Sequence, residues 1–243
     1  MAESSPEGWV LSDEALQKVI KTVRRELGRP VNQRDDRGRA PGFSGRLVYP
    51  FINDSESTAP RGAVLGVTAS LKISLNEDAV FSVVYRCTQA NTTFRNHWGV
   101  NVGGPVAAGE CGLCTFEGPV NIAYDSGTPA FGEGWGPKPG QWTLSKGYPA
   151  TTLVDGIVDS TNKLLLGTLA PITQLFIKAT TTITAGAVSS GNQYDILAGT
   201  LGSETDAGFT TVPNFYNPGV AFANNDKGWL SLGGSGWVGG KIC

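Results

Sequence analysis

Four residues carry the chemistry this sequence offers most openly: Cys111 and Cys114, spaced Cys-x-x-Cys, with Cys87 and His97 upstream. Two thiolates that close in sequence can reach one tetrahedral zinc ion, and a third sulfur with an imidazole nitrogen would complete the set. A zinc ribbon would show a second close pair, whereas nine residues separate Cys87 from His97. The expectation is therefore of buried or half-buried thiols with no cofactor, and the set Cys87, His97, Cys111 and Cys114 is where a metal would have to sit. A redox role for the pair would need a βαβ frame, which this region lacks.

A second group of residues, Glu110, Glu117, Asp125 and Glu133, surrounds Trp135 and Trp142. Glycoside cleavage needs two carboxylates about 5–10 Å apart, and tryptophan rings suit a sugar face. That supports an alternative reading, a carbohydrate-binding or glycan-cleaving β protein of a receptor-binding type. Other chemistries fail on supply. His97 is the one histidine, so a nucleophilic triad has a single base to draw on, and Gly233-Gly-Ser-Gly-Trp237 misses the Gly-x-Ser-x-Gly spacing. No Gly-x-x-x-x-Gly-Lys-Ser/Thr run occurs, and Gly132-Glu-Gly-Trp-Gly136 lacks the spacing of a dinucleotide loop. No catalytic residue is assigned, and the chain is not expected to be an enzyme.

The elements that must position these residues are read from composition. The 243 residues include 33 glycines and 14 prolines, and only 16% are charged. Gly supplies positive φ and Pro pre-sets turns, so this balance fits many short strands joined by many turns. The apolar runs between the turns argue against long disorder. A net charge of −2 excludes a general nucleic-acid or membrane binder. The first 46 residues hold nine of the 19 Lys and Arg and seven of the 21 acids, which leaves ten against fourteen for the remainder. No run has the length of a transmembrane helix, and MAESSPEGWV has no signal-peptide pattern. The expectation is folding in a cytoplasm, with cysteines reduced.

Along the chain, residues 12–27 predict the one helix. Ser12 is an N-cap, Asp13 and Glu14 occupy the first turn, and Lys21, Arg24 and Arg25 lie toward the other end, as the helix dipole favours. Leu16, Val19, Ile20, Val23 and Leu27 form one apolar stripe, and Gly28 and Pro30 end it. An extended arm with Arg34, Arg37 and Arg39 follows. Strands are predicted from Val48 onward, among them the hairpin-like pairs 70–75 with 79–85, 150–158 with 163–169, and 228–232 with 236–242. The fold class is mainly β: antiparallel barrel or sandwich units with one N-terminal helix and an arm. Three parts are expected, 1–46 as helix and arm, 47–170 as a central β unit with Gly/Pro-rich loops, and 171–243 as a C-terminal β unit. No repeat of fixed period is visible.

This organisation resembles virion structural proteins of tailed bacteriophages and phage-like particles. The resemblance is carried by the N-terminal helix and arm, by the Gly-rich centre Ala107-Ala-Gly-Glu-Cys-Gly112 followed by Pro119-Val-Asn-Ile-Ala-Tyr124, and by the tryptophan-bearing C-terminal strands 228–232 and 236–238. It implies a non-enzymatic subunit of a head-decorating, head–tail or tail-fibre kind, found in the virion and in host cytoplasm during assembly. Its partners would be further copies of itself and other virion proteins, with glycan the ligand of the alternative reading. The expected interface residues are Leu16, Val19, Ile20, Val23, Leu27, Arg34, Arg37 and Arg39, together with Trp135, Trp142 and Trp237 as aromatic anchors.

Overall fold

The computed structural model describes residues 48–74, 81–95, 97–189, 192–199 and 202–242. The predicted helix over 12–27 and the arm with Arg34, Arg37 and Arg39 lie outside the described residues. Within them the protein is mainly β, and no helix is long and apolar enough to cross a membrane.

The first unit is a closed five-stranded barrel built from β1 (Tyr49–Asn53), β2 (Val64–Ser74), β3 (Phe81–Thr88), β4 (Trp98–Asn101) and β5 (Cys111–Thr115). Walking around it, β1 pairs β3 in parallel, then β2, β4 and β5 follow antiparallel, and β5 returns to β1. Period-two alternation sends Phe51, Leu65, Cys87 and Cys114 inward, where they form a core with Ala59, Ala63 and Val106.

The second unit comprises β6 (Gly118–Ala123), β7 (Gly134–Pro137), β8 (Leu144–Lys146), β9 (Thr152–Asp159) and β10 (Leu164–Leu169), in the order β6-β10-β9-β7-β8. Just past β6, Tyr124 bridges Leu144 of β8 in parallel. With that bridge the neighbour list becomes β6-β8-β7-β9-β10-β6. This is the walk of the first barrel, with the parallel contact in the same place.

The third unit contains β11 (Gln174–Ala179), β12 (Ala187–Val188), β13 (Tyr194–Ala198), β14 (Thr205–Asp206), β15 (Phe215–Asn217), β16 (Lys227–Gly233) and β17 (Gly236–Lys241). Here β15 pairs β17 in parallel, β17 pairs β16, β16 pairs β11 and β11 pairs β13. The run repeats the first barrel once more, except that its fourth and fifth members, β11 and β13, come first in the chain. No ladder joins β13 to β15, but the rings of Tyr194 and Phe215 meet edge to face at 5.3 Å, and the Tyr194 hydroxyl donates to the Pro213 carbonyl. The described residues thus hold one strand arrangement three times without a fixed sequence period.

A shared loop device marks the repeat. Asn53 closes β1 and Asn101 closes β4, and both side chains are fully buried. The Asn53 amide donates to the Val106 carbonyl at 2.9 Å, and its side-chain oxygen accepts from the Ser55 N–H. The Asn101 amide donates to the Pro60 and Gly104 carbonyls at 2.9 Å, and its oxygen accepts from the Gly103 N–H. Ala59 and Val106 bridge the two loops. Gly62 donates its N–H to Asn101 and Gly109 donates to Asn53, each from a turn at φ +76° and +72° that a side chain would strain. Asn217 repeats the device in the third unit, holding Thr184 and Val220, with Ile183 and Phe222 as the bridge and Gly186 as the donor.

The units interlock. A large core runs through all three and includes Val64, Trp98 and Val100, then Trp135, Val154 and Leu165, then Ile177, Phe215 and Trp237. Backbone bonds cross the seams: Gly62 accepts from the Ala123 N–H, Thr211 accepts from Phe94, and Gly147 accepts from Gly199.

Candidate interaction surface

The sulfur chemistry is decided by strand geometry. Cys111 and Cys114 stand on β5, where residues three apart point to opposite faces. Cys114 is buried in the barrel interior and hydrogen-bonded to Cys87, while Cys111 is half-buried on the other face. Burial first, and then the Cys87 contact, push the Cys114 thiol well above its ordinary value. His97 is exposed, with its ring 4.4 Å from Phe116 and 5.7 Å from Tyr85. Loss of water on the packed side lowers its pKa. The four residues singled out for zinc therefore do not converge. Among the described residues no group of three or more His, Cys, Asp or Glu side chains is placed to hold a metal ion.

The tryptophans expected as anchors face inward. Trp135, on β7, is fully buried, meets Tyr124 edge to face at 5.8 Å and donates to Glu133 at 3.2 Å. Trp237 on β17 is buried against Phe94. Trp142 is half-buried against the barrel core and donates to the Ser57 hydroxyl. Two of the four carboxylates named with them are tied into the scaffold. Glu133 accepts from Lys146, the Ala130 N–H and the Trp135 indole, and these bonds, with Lys146 the largest cause, bring its pKa down from 4.5 to about 2. A general acid needs the opposite shift. Asp125 accepts from the Ser145 hydroxyl and caps the turn at Ser126.

Different aromatics reach the surface. On the outer face of the third unit, register aligns Val188, Tyr216, Val238, Ser231 and Gln174 in one row across β12, β15, β17, β16 and β11. The next row is Gly240, Trp229 and Phe176. Phe176, Tyr216, Trp229 and Val188 are 52%, 44%, 45% and 65% exposed. Beside Phe176 lies a cleft of about 330 Å³, walled by Tyr148, Pro149, Leu197 and Glu204. Burial and the nearby Asp125 and Asp206 charges raise the Tyr148 pKa. Two of the lysines near the face are ion-paired within the chain, Lys227 with Glu204 at 2.8 Å and Lys241 with Asp226 at 2.7 Å.

A smaller apolar strip runs along β9 of the second unit, with Leu153, Ile157 and Val158 exposed, and Phe131 stands out from the neighbouring turn at 84%. The alternation of β11, exposed-buried-exposed-buried, was legible in the sequence and signals a half-wet strand. That the wet side is aromatic follows from the register with β16, which only the fold supplies. Compared with known proteins, the chain matches no family model, no curated protein and no solved structure.

Proposed function

We propose that this protein is a non-enzymatic structural subunit that assembles with copies of itself and with other proteins of a phage-like particle. The observation that carries this reading is the apolar, aromatic outer face of the third unit on an otherwise interlocked β body. Exposed apolar patches of several hundred Å² on soluble domains mark interaction sites. Three units fused by backbone hydrogen bonds and one continuous core provide a stiff platform for contacts, and the helix and basic arm expected from the sequence before Val48, outside the described residues, would add a tether. Twenty residues separate Leu27 from Val48, which at about 3.3 Å per extended residue spans on the order of 65 Å.

The test is assembly of the full chain, followed by light scattering after size exclusion and by negative-stain imaging. The chain is expected to form discrete particles larger than a monomer. Val19→Glu with Val23→Glu is expected to reduce them to smaller species while the far-UV spectrum keeps its β character. A wild-type chain that stays monomeric at about 100 µM would sink the reading.

A further inference from the structure

The threefold repeat of one strand arrangement allows the same surface to be compared in each unit. In the first barrel the strand that follows the positive-φ turn, β2, begins two residues beyond Gly62, and its outward residues Val64 and Gly66 pair with Val100 and Trp98 of β4. In the third unit β16 begins two residues beyond Asn225, also at positive φ, and its outward residues Lys227 and Trp229 pair with Lys178 and Phe176 of β11. Trp98 and Phe176 thus occupy equivalent places, as do Gly66 and Trp229.

In the first barrel this face is covered. Val64, Trp98 and Val100 are at most 5% exposed and belong to the core that joins the units. In the third unit the equivalent face carries Phe176 and Trp229 where the first barrel has Trp98 and Gly66, is flanked by Lys178 and Lys227 where the barrel has Val100 and Val64, and leaves both rings half-exposed. Resting on the assembly reading above, we infer that the Phe176–Trp229 face is an interface with a second copy of this chain, packing sheet against sheet between copies as the first barrel packs within one.

Three further observations favour a second copy as the occupant. An aromatic side chain carries about 150–250 Å² of surface, so each half-exposed ring offers on the order of 100 Å². Phe176, Trp229, Tyr216 and Val188 together supply an apolar centre of about 400 Å², the scale needed inside a standard contact of about 800 Å² per partner. A face that meets its own copy must also not repel itself: Lys227 and Lys241 are neutralised within the chain by Glu204 and Asp226, and Lys178 stands opposite Asp195 of β13. The edges of the sheet, β12 and β14, are two residues each, so association by strand addition has little to pair with. Face packing is the geometry left.

The experiment uses the full chain at a series of concentrations, with mass read by light scattering and association read by tryptophan fluorescence. Dilution is expected to red-shift the emission as Trp229 becomes wet, and Trp229→Phe is expected to retain association but lose most of that shift. Trp229→Glu and Phe176→Glu are each expected to weaken association by at least tenfold, with an unchanged far-UV spectrum showing that the fold survives. Phe131→Glu, on the second unit, is expected to leave association unchanged. Assemblies that survive both face variants, or that dissociate with Phe131→Glu alone, would overturn the inference and leave the assembly reading standing. A monomeric wild-type chain would overturn both.

Discussion

Glu133 shows how single residues here serve the scaffold. One oxygen takes the Lys146 ammonium, and the other takes the Ala130 N–H and the Trp135 indole. Its carboxylate ties the turn at 130–133, the buried Trp135 of β7 and Lys146 of β8 into one cluster. Glu204 does the same between Gly202 and Lys227. Both pKa values are brought down from 4.5 to about 2, each chiefly by its lysine partner. Because the folded value lies below the unfolded one, the stabilisation is fully present above about pH 4.5 and is lost as pH falls toward 2. Thermal midpoints should therefore hold level from neutral pH to about pH 5 and decline below it. In Glu133→Gln the acid decline should be shallower than in the wild type, starting from a lower midpoint at pH 7. An acid limb identical in the two proteins would show that this cluster does not set it.

At the scale of elements, the buried asparagines are the features on which the barrel ends depend. Asn101→Ala would remove donors to Pro60 of the opposite loop and Gly104 of its own, and the acceptor for the Gly103 N–H, untying the two loops at this end of the barrel. A cost of about 1–3 kcal/mol is expected in urea unfolding. Asn101→Asp should be no better, since its carboxylate would face those same carbonyls. An unchanged midpoint in either variant would refute the role given to the loop pair. The hairpin β9–β10 and the pair β16–β17 were legible in the sequence because alternating apolar runs flank turn residues there. Strands β5 and β7 were not, because they lie in a stretch whose glycines and prolines read as loop. The structure explains those glycines as close approach. A Cβ on Gly112 would meet Val106 at 2.5 Å and Phe51 at 2.6 Å, and one on Gly136 would meet the Pro149 carbonyl at 2.0 Å. With β5 unread, the sequence also could not show that strand period places the Cys111 and Cys114 sulfurs on opposite faces.

For the whole molecule the question is whether three equivalent units behave as three domains or as one. Phe94 lies between β3 and β4 of the first barrel, yet its ring meets Phe209 at 5.4 Å and Trp237 at 6.3 Å in the third unit. Around it, Phe94 donates to Thr211 and Thr210 donates to Thr92, so the loop is stitched to the third unit by backbone as well as by rings. Other seams are similar: Val64 donates to Trp142, Gly140 to Ala90 and Gly199 to Gly147. A unit that unfolded alone would strip these partners from its neighbours and open the shared core to water, so partial unfolding loses much of the stabilisation without regaining the entropy of the whole chain. One cooperative transition is therefore expected, with calorimetric and van't Hoff enthalpies equal, despite a length at which separate domains often appear. Phe94→Ala should lower the midpoint of that single transition, at a cost of about 3–5 kcal/mol. If the units were independent, the variant would instead shift only part of the heat absorption and leave a second peak at the wild-type temperature. Appearance of that second peak would show that the repeats are joined by contact alone and fold as separate bodies.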